Sequence, residues 1–145
     1  MSGFFSSETL TASDGTFLDW IPSIKYTLIA YNYMKAVFVE LPAFSRYRAD
    51  YLDDEGYRGL QTAMMKNPES GDVIQGTGGL RKLRHIDARQ GKGTRGGLRV
   101  IYYWWDGASQ FWLFTLYGKD EMTDLSSEEK QALKHMLKME LEVRR

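Results

Sequence analysis

The chain has 145 residues, no cysteine, and 19 acidic side chains balanced by 19 basic ones. That length bounds it to a single domain able to bury a core without cross-links, and the missing cysteine excludes thiolate catalysis, disulfide staples and cysteine-based zinc sites. No run reaches the roughly 18 apolar residues of a membrane span. The nearest, Tyr26 to Leu41, is broken by Asn32, Lys35 and Glu40, and Glu8, Asp14 and Asp19 precede the first basic residue, Lys25, where a secretory leader would be positively charged. The expectation is a soluble cytoplasmic protein with no membrane partner.

Residues 1–33 are rich in Ser and Thr and nearly free of Lys and Arg. Two readings fit them: an N-terminal extension created by a start placed upstream of Met34, or an added strand or partner-binding tail, for which Phe17, Leu18, Trp20 and Ile21 supply apolar material. The domain proper is expected over residues 34–145. Lys35 to Glu40 reads as a strand from its β-branched and aromatic alternation, and Pro42 is placed at the first turn of a helix through Tyr51. Asp53 or Asp54 can cap a second helix, with Tyr57, Leu60 and Met64 at helical spacing and Asn67-Pro68 as its stop. Beyond a glycine-rich loop, Leu80–Ile86, Leu98–Trp105 and Phe111–Tyr117 read as an antiparallel meander, the last two joined at Asp106-Gly107. Ser126 and Glu129 form a capping box ahead of a final helix whose stripe, Leu133, Met136, Leu137 and Leu141, is expected to pack on the sheet. The order β-α-α-β-β-β-α predicts an α+β domain: a small antiparallel sheet with two helices before it and one after.

Charge neutrality conceals a local excess. Gly78 to Trp105 holds Arg81, Lys82, Arg84, Arg89, Lys92, Arg95 and Arg99 against Asp87 alone, seven cations to one anion, a net +6. A strand's period of two puts Lys82 and Arg84 on one face and Arg81, Leu83 and His85 on the other. The loop from Ala88 to Gly97 mixes its cations with glycines, which let backbone approach a bulky anion while the cations make charge-assisted contacts. Such crowding is relieved by a polyanion, so nucleic acid or phosphate is the expected partner. Tyr102 to Trp105 and the aromatic residues of the next strand must divide between faces, which would leave some rings on an open face for base stacking unless helices cover both.

The usual groups for RNA cleavage are absent. His85 and His135 are the only histidines. Asp53/Asp54 and Glu128/Glu129 read as helix-start residues, and no metal-ligand spacing occurs. Chemistry here would fall to Lys and Arg: charge stabilisation at the phosphate, with a lysine crowded by cations as the proton acceptor. Guanidinium groups can grip a phosphate but do not act as bases at ordinary pH.

Three segments in order, Gly76-Thr-Gly-Gly-Leu-Arg-Lys-Leu-Arg84, Gly91-Lys-Gly-Thr-Arg-Gly-Gly-Leu-Arg99-Val-Ile-Tyr-Tyr103 and Leu116-Tyr-Gly-Lys-Asp-Glu-Met-Thr-Asp124, closely resemble HigB toxins of the RelE/ParE superfamily. The likeness runs from Met34 to the C-terminus. It implies a RelE-like, microbial-RNase-like fold and the toxin of a type II toxin-antitoxin system. Such a toxin is a metal-independent, cofactor-free endoribonuclease that cuts messenger RNA in the A site of the 70S ribosome and is neutralised by a HigA-like antitoxin. Carried over by position, the expected catalytic set is Lys82, Arg84, Lys92, Arg95 and Arg99, with Lys82 or Lys92 assisting removal of the 2′-hydroxyl proton. The expected RNA contacts are Arg81, Arg89, Tyr103, Tyr117 and Lys119. The chain departs from RelE itself at Asp120, where an arginine is usual, and at Ser126, where a tyrosine is. Two other outcomes are open: a ParE-like toxin that binds DNA gyrase without nuclease activity, and an inactive RNA-binding relative.

Overall fold

The computed structural model describes residues 5–11, 25–31, 34–90, 97–122 and 124–144. Strand β3 (Met34–Glu40) leads into helix α1 (Pro42–Tyr51), with Pro42 in its first turn. A proline tolerates that position because its missing N–H would have had no intrahelical partner. Helix α2 (Asp54–Lys66) starts where Asp53 accepts a hydrogen bond from the Gly56 amide at 2.7 Å, and it buries Tyr57, Leu60, Gln61, Met64 and Met65. The glycine-rich segment then forms a two-residue strand β4 (Asp72–Val73) and a turn in which Gly76 and Gly78 take left-handed φ of 80° and 83°. Thr77 closes this turn from inside, its hydroxyl donating to the Ile74 carbonyl and accepting from the Leu80 amide.

Strands β5 (Arg81–His85), β6 (Leu98–Trp105) and β7 (Gln110–Gly118) form the expected antiparallel meander, with a short 3-10 turn at Asp106–Ala108. Helix α3 (Ser127–Arg144) opens on the expected capping box, in which the Ser126 and Glu129 side chains each accept the other's backbone N–H. It lays Leu133 and Leu137 on the sheet.

The sheet is larger and less uniform than expected. Two further strands, β1 (Phe5–Thr11) and β2 (Lys25–Tyr31), add antiparallel to the outside of β3, giving seven strands among the described residues in the order β1-β2-β3-β7-β6-β5-β4. Strand β3 pairs with β7 in parallel, Val37 beside Gln110 and Glu40 beside Leu113, so the sheet is mixed where an antiparallel one was expected. Parallel pairing needs a crossover rather than a turn, and no local signal in β3 announces a partner so far along the chain.

Both faces are covered. Phe38, Val100, Tyr102, Phe111 and Leu113 pack with Phe44 of α1 and with Leu60 and Met64 of α2. On the other face Val39, Ile101, Trp112 and Phe114 pack with α3. Phe111 and Trp112, adjacent on β7 and therefore on opposite faces, anchor a ring stack on each: Tyr102 and Trp104 against Phe111, Tyr103 and Trp105 against Trp112. No ring in Tyr102–Trp105 is left to stand alone on an open face, because the helices and β7 have taken that surface.

Candidate nucleic-acid interface

Register assembles the site. Arg84 lies opposite Arg99 on β6, and Arg99 lies opposite Tyr117 on β7; one step along, Lys82 lies opposite Ile101 and Ile101 opposite Thr115. Directly paired residues share a face, so Lys82, Arg84, Arg99 and Tyr117 gather on the α3 side of the sheet.

Arg99 is only 4% exposed. Its burial first, and the neighbouring Arg84 second, hold the guanidinium below its usual value, because both disfavour the charged form. One of its Nη atoms donates to the Leu98 carbonyl at 3.2 Å. Tyr117 is 6% exposed, and its hydroxyl makes no hydrogen bond to the described residues. Burial and the Asp124 carboxylate push that phenol up, while Arg99 pulls it down. A buried hydroxyl without a partner costs on the order of 1–3 kcal/mol, a penalty removed by any acceptor that reaches it.

Asp124, which lies between β7 and α3, accepts from the Leu125 amide at 2.8 Å and from Lys82 Nζ at 3.3 Å, and these contacts hold its carboxyl below the ordinary range. In this pair Asp124 is mostly exposed and Lys82 half-buried, so solvent screens the contact from the carboxylate side and keeps it weak. Arg84 is exposed and makes no ion pair among the described residues. The cluster therefore sets an exposed guanidinium and a half-buried ammonium over a desolvated guanidinium and a buried hydroxyl that has no partner among the described residues. This set suits a phosphate group.

The remaining residues expected at the site lie elsewhere. Arg81 points to the opposite face and ties down the preceding loop, donating to the Glu69 and Gly71 carbonyls at 3.0 and 2.8 Å and to the Glu69 carboxylate at 3.3 Å. Arg89 makes a two-point contact with Asp87, at 3.0 and 2.8 Å, and its guanidinium lies 4.5 Å from the centre of the Tyr51 ring. Asp87 is 1% exposed, which makes Arg89 the counter-charge of a buried carboxylate. Tyr103 packs on Trp112 and faces Gly79. Lys119 is exposed in the turn after β7, its amide bonded to the Gly97 carbonyl at 3.0 Å. Lys92 and Arg95 lie outside the described residues. His85 sits on the face away from Lys82, its pKa lowered by burial, and His135 is exposed on α3.

Sequence reasoning did not single out Asp124 as a partner of Lys82, nor the link from Tyr51 to Glu121. Tyr51 donates to the Glu121 carboxylate, with oxygens at 2.8 and 2.9 Å, and so ties α1 to the turn after β7. Burial, followed by that hydrogen bond and the Glu121 charge, pushes the Tyr51 phenol from 10.0 up to about 12. The folded state thus favours the protonated phenol. Its contribution to stability is complete below pH 10 and is lost as pH rises through about 12. Tyr51→Phe removes the titrating group, so unfolding midpoints measured across that alkaline window should fall less steeply than in the wild type. Parallel curves would show that Tyr51 does not control this loss.

Among the described residues no three His, Asp or Glu side chains gather as a metal-binding group, and no helix is long and apolar enough to cross a membrane. No protein-family model matches the chain.

Proposed function

We propose that this chain is the toxin of a type II toxin-antitoxin pair, a HigB-like member of the RelE superfamily, and that it cuts messenger RNA in the ribosomal A site. The observation that carries this reading is the convergence of Lys82, Arg84 and Arg99 on one face around the unused Tyr117 hydroxyl. The sequence likeness supplies the ribosome, a HigA-like antitoxin and the cytoplasm.

The chemistry follows from the residues. Arg84 and Arg99 hold the scissile phosphate and the charge that develops on it, and Tyr117 donates to one of its oxygens. The ribose 2′-oxygen attacks phosphorus, its proton passing to the neutral amine of Lys82, which must first give up its own proton to water, or to that of Lys92; the bond to the 5′-oxygen breaks, and that oxygen takes a proton from water. Lys82 must leave Asp124 to reach the reacting 2′-oxygen, and solvent on the Asp124 side of the pair keeps that exchange inexpensive. Arg95 joins the phosphate grip on the strength of the likeness.

Expression should arrest growth, and co-expression of the neighbouring gene should relieve the arrest. Purified protein should cut messenger on programmed ribosomes and leave free RNA nearly intact. Inhibition of gyrase supercoiling with no messenger cleavage would replace this reading with the ParE-like one.

A further inference from the structure

A groove of about 430 Å³ opens beside the basic cluster, between α1 and α3. This is within the roughly 300–1,000 Å³ typical of small-ligand sites. Tyr47 and Tyr51 of α1 line one side, and Leu133 and Met136 of α3 line the other. Its floor includes Thr115 and Tyr117, which are the β7 members of the rows that begin at Lys82 and Arg84. Two strand spacings separate those cations from the floor, about 10 Å at roughly 4.8 Å per strand, within the reach of one nucleotide from phosphate to base. Arg89 occupies a face of the Tyr51 ring, and Glu121 holds its hydroxyl, so this wall of the groove is fixed in place.

We propose that this groove is a nucleobase subsite of the RNA-cleaving surface, receiving the base next to the scissile phosphate and favouring bases that carry an amino group over uracil. The inference rests on the ribonuclease reading and deepens it. A mostly apolar groove with an aromatic wall suits a base, because stacking needs only a π-face. Selection comes from the rim, where Glu121 and Glu129 are exposed carboxylates. Each already accepts hydrogen bonds, from the Tyr51 hydroxyl and the Ser126 amide respectively, and each keeps acceptor capacity. A carboxylate accepts from an exocyclic amine, as it does from the amino group of cytosine. Guanine offers an adjacent ring N–H as well, so it matches a carboxylate at two points. Uracil presents carbonyl oxygens on both sides of its one N–H and is repelled. An apolar peptide side chain would fill the slot but would give no role to the acidic rim or to the shared Tyr117 floor.

Two measurements test this. In cleavage on programmed ribosomes with a randomised messenger, uridine should be depleted roughly tenfold at one position beside the cut. The Ala132→Trp substitution, on the exposed α3 lining, should fill the groove and abolish the depletion, and Glu121→Gln should weaken it while keeping an oxygen for Tyr51. Independently, guanosine 5′-monophosphate should shift the Met136 methyl resonance at lower concentration than uridine 5′-monophosphate does, and Ala132→Trp should remove the difference. Should the wild type fail to cut, the ribonuclease reading falls and the titration alone judges the groove. Cleavage with uridine as frequent as other bases beside the break, or equal shifts from the two nucleotides, overturns the subsite.

Discussion

Arg99→Ala should lower ribosome-dependent cleavage by about 10²–10³-fold, the loss typical of removing one preorganised donor from a charge-stabilising site. The fold should survive it. Arg99 sits at the edge of the core, desolvated and beside Arg84, so truncation relieves an unfavourable burial of charge while it costs packing. These effects oppose each other, and the unfolding midpoint should move by only a few degrees. Arg99→Lys is informative beside it. The charge returns without the planar fork, so a site that needs two-point phosphate contact should recover little activity. Cleavage retained in Arg99→Ala, measured on protein with a normal circular dichroism spectrum, would remove Arg99 from the chemistry and leave Lys82, Arg84, Lys92, Arg95 and Tyr117 to explain the effect.

Phe111→Ala should produce the largest loss of stability. Its ring stacks on Phe38 at 4.6 Å and 12° between planes, lies 4.5 Å from Trp104, and is fully buried. Truncating such a ring costs about 3–5 kcal/mol through lost burial and the cavity left behind, a large share of the 5–15 kcal/mol that usually separates folded from unfolded domains. Urea unfolding reads this directly. A change below about 1 kcal/mol would mean that the β3–β7 contact is not the centre of the core. Trp105→Ala should cost less, because that ring is partly exposed and meets Trp112 only edge-on.

The elements that could be read from the chain are those whose code is local. Pro42, Asp53 and the Ser126/Glu129 box mark helix starts because they satisfy backbone groups within one turn, and the meander shows in alternation bounded by turn residues. Pairing at a distance leaves no such mark. Nothing in Met34–Glu40 says that β7 will lie beside it in parallel, and the Ser- and Thr-rich Phe5–Thr11 lacks the apolar alternation that flags a half-buried strand.

The site divides in the same way. Strand period alone separates Lys82 and Arg84 from Arg81, and the structure keeps that division. Partners are what composition hides. Arg81 and Arg89 add to the basic excess as much as Arg84 does, yet one is spent on the Glu69 and Gly71 carbonyls and the other on buried Asp87. Tyr103 likewise reads as an available ring until Trp112 is found against it. A count of cations therefore overstates the charge available to a ligand, by the number already neutralised within the fold.

The parallel contact between β3 and β7 also sets an order of events during synthesis. Strand β3 leaves the ribosome well before its core-side neighbour β7 is made. Until β7 arrives, β3 holds an open edge, and contacts so far apart in the chain close slowly. Arg99 likewise waits for Tyr117, and Lys82 for Asp124. A nascent chain thus lacks the assembled basic face until β7 and the Asp124 segment after it have been made.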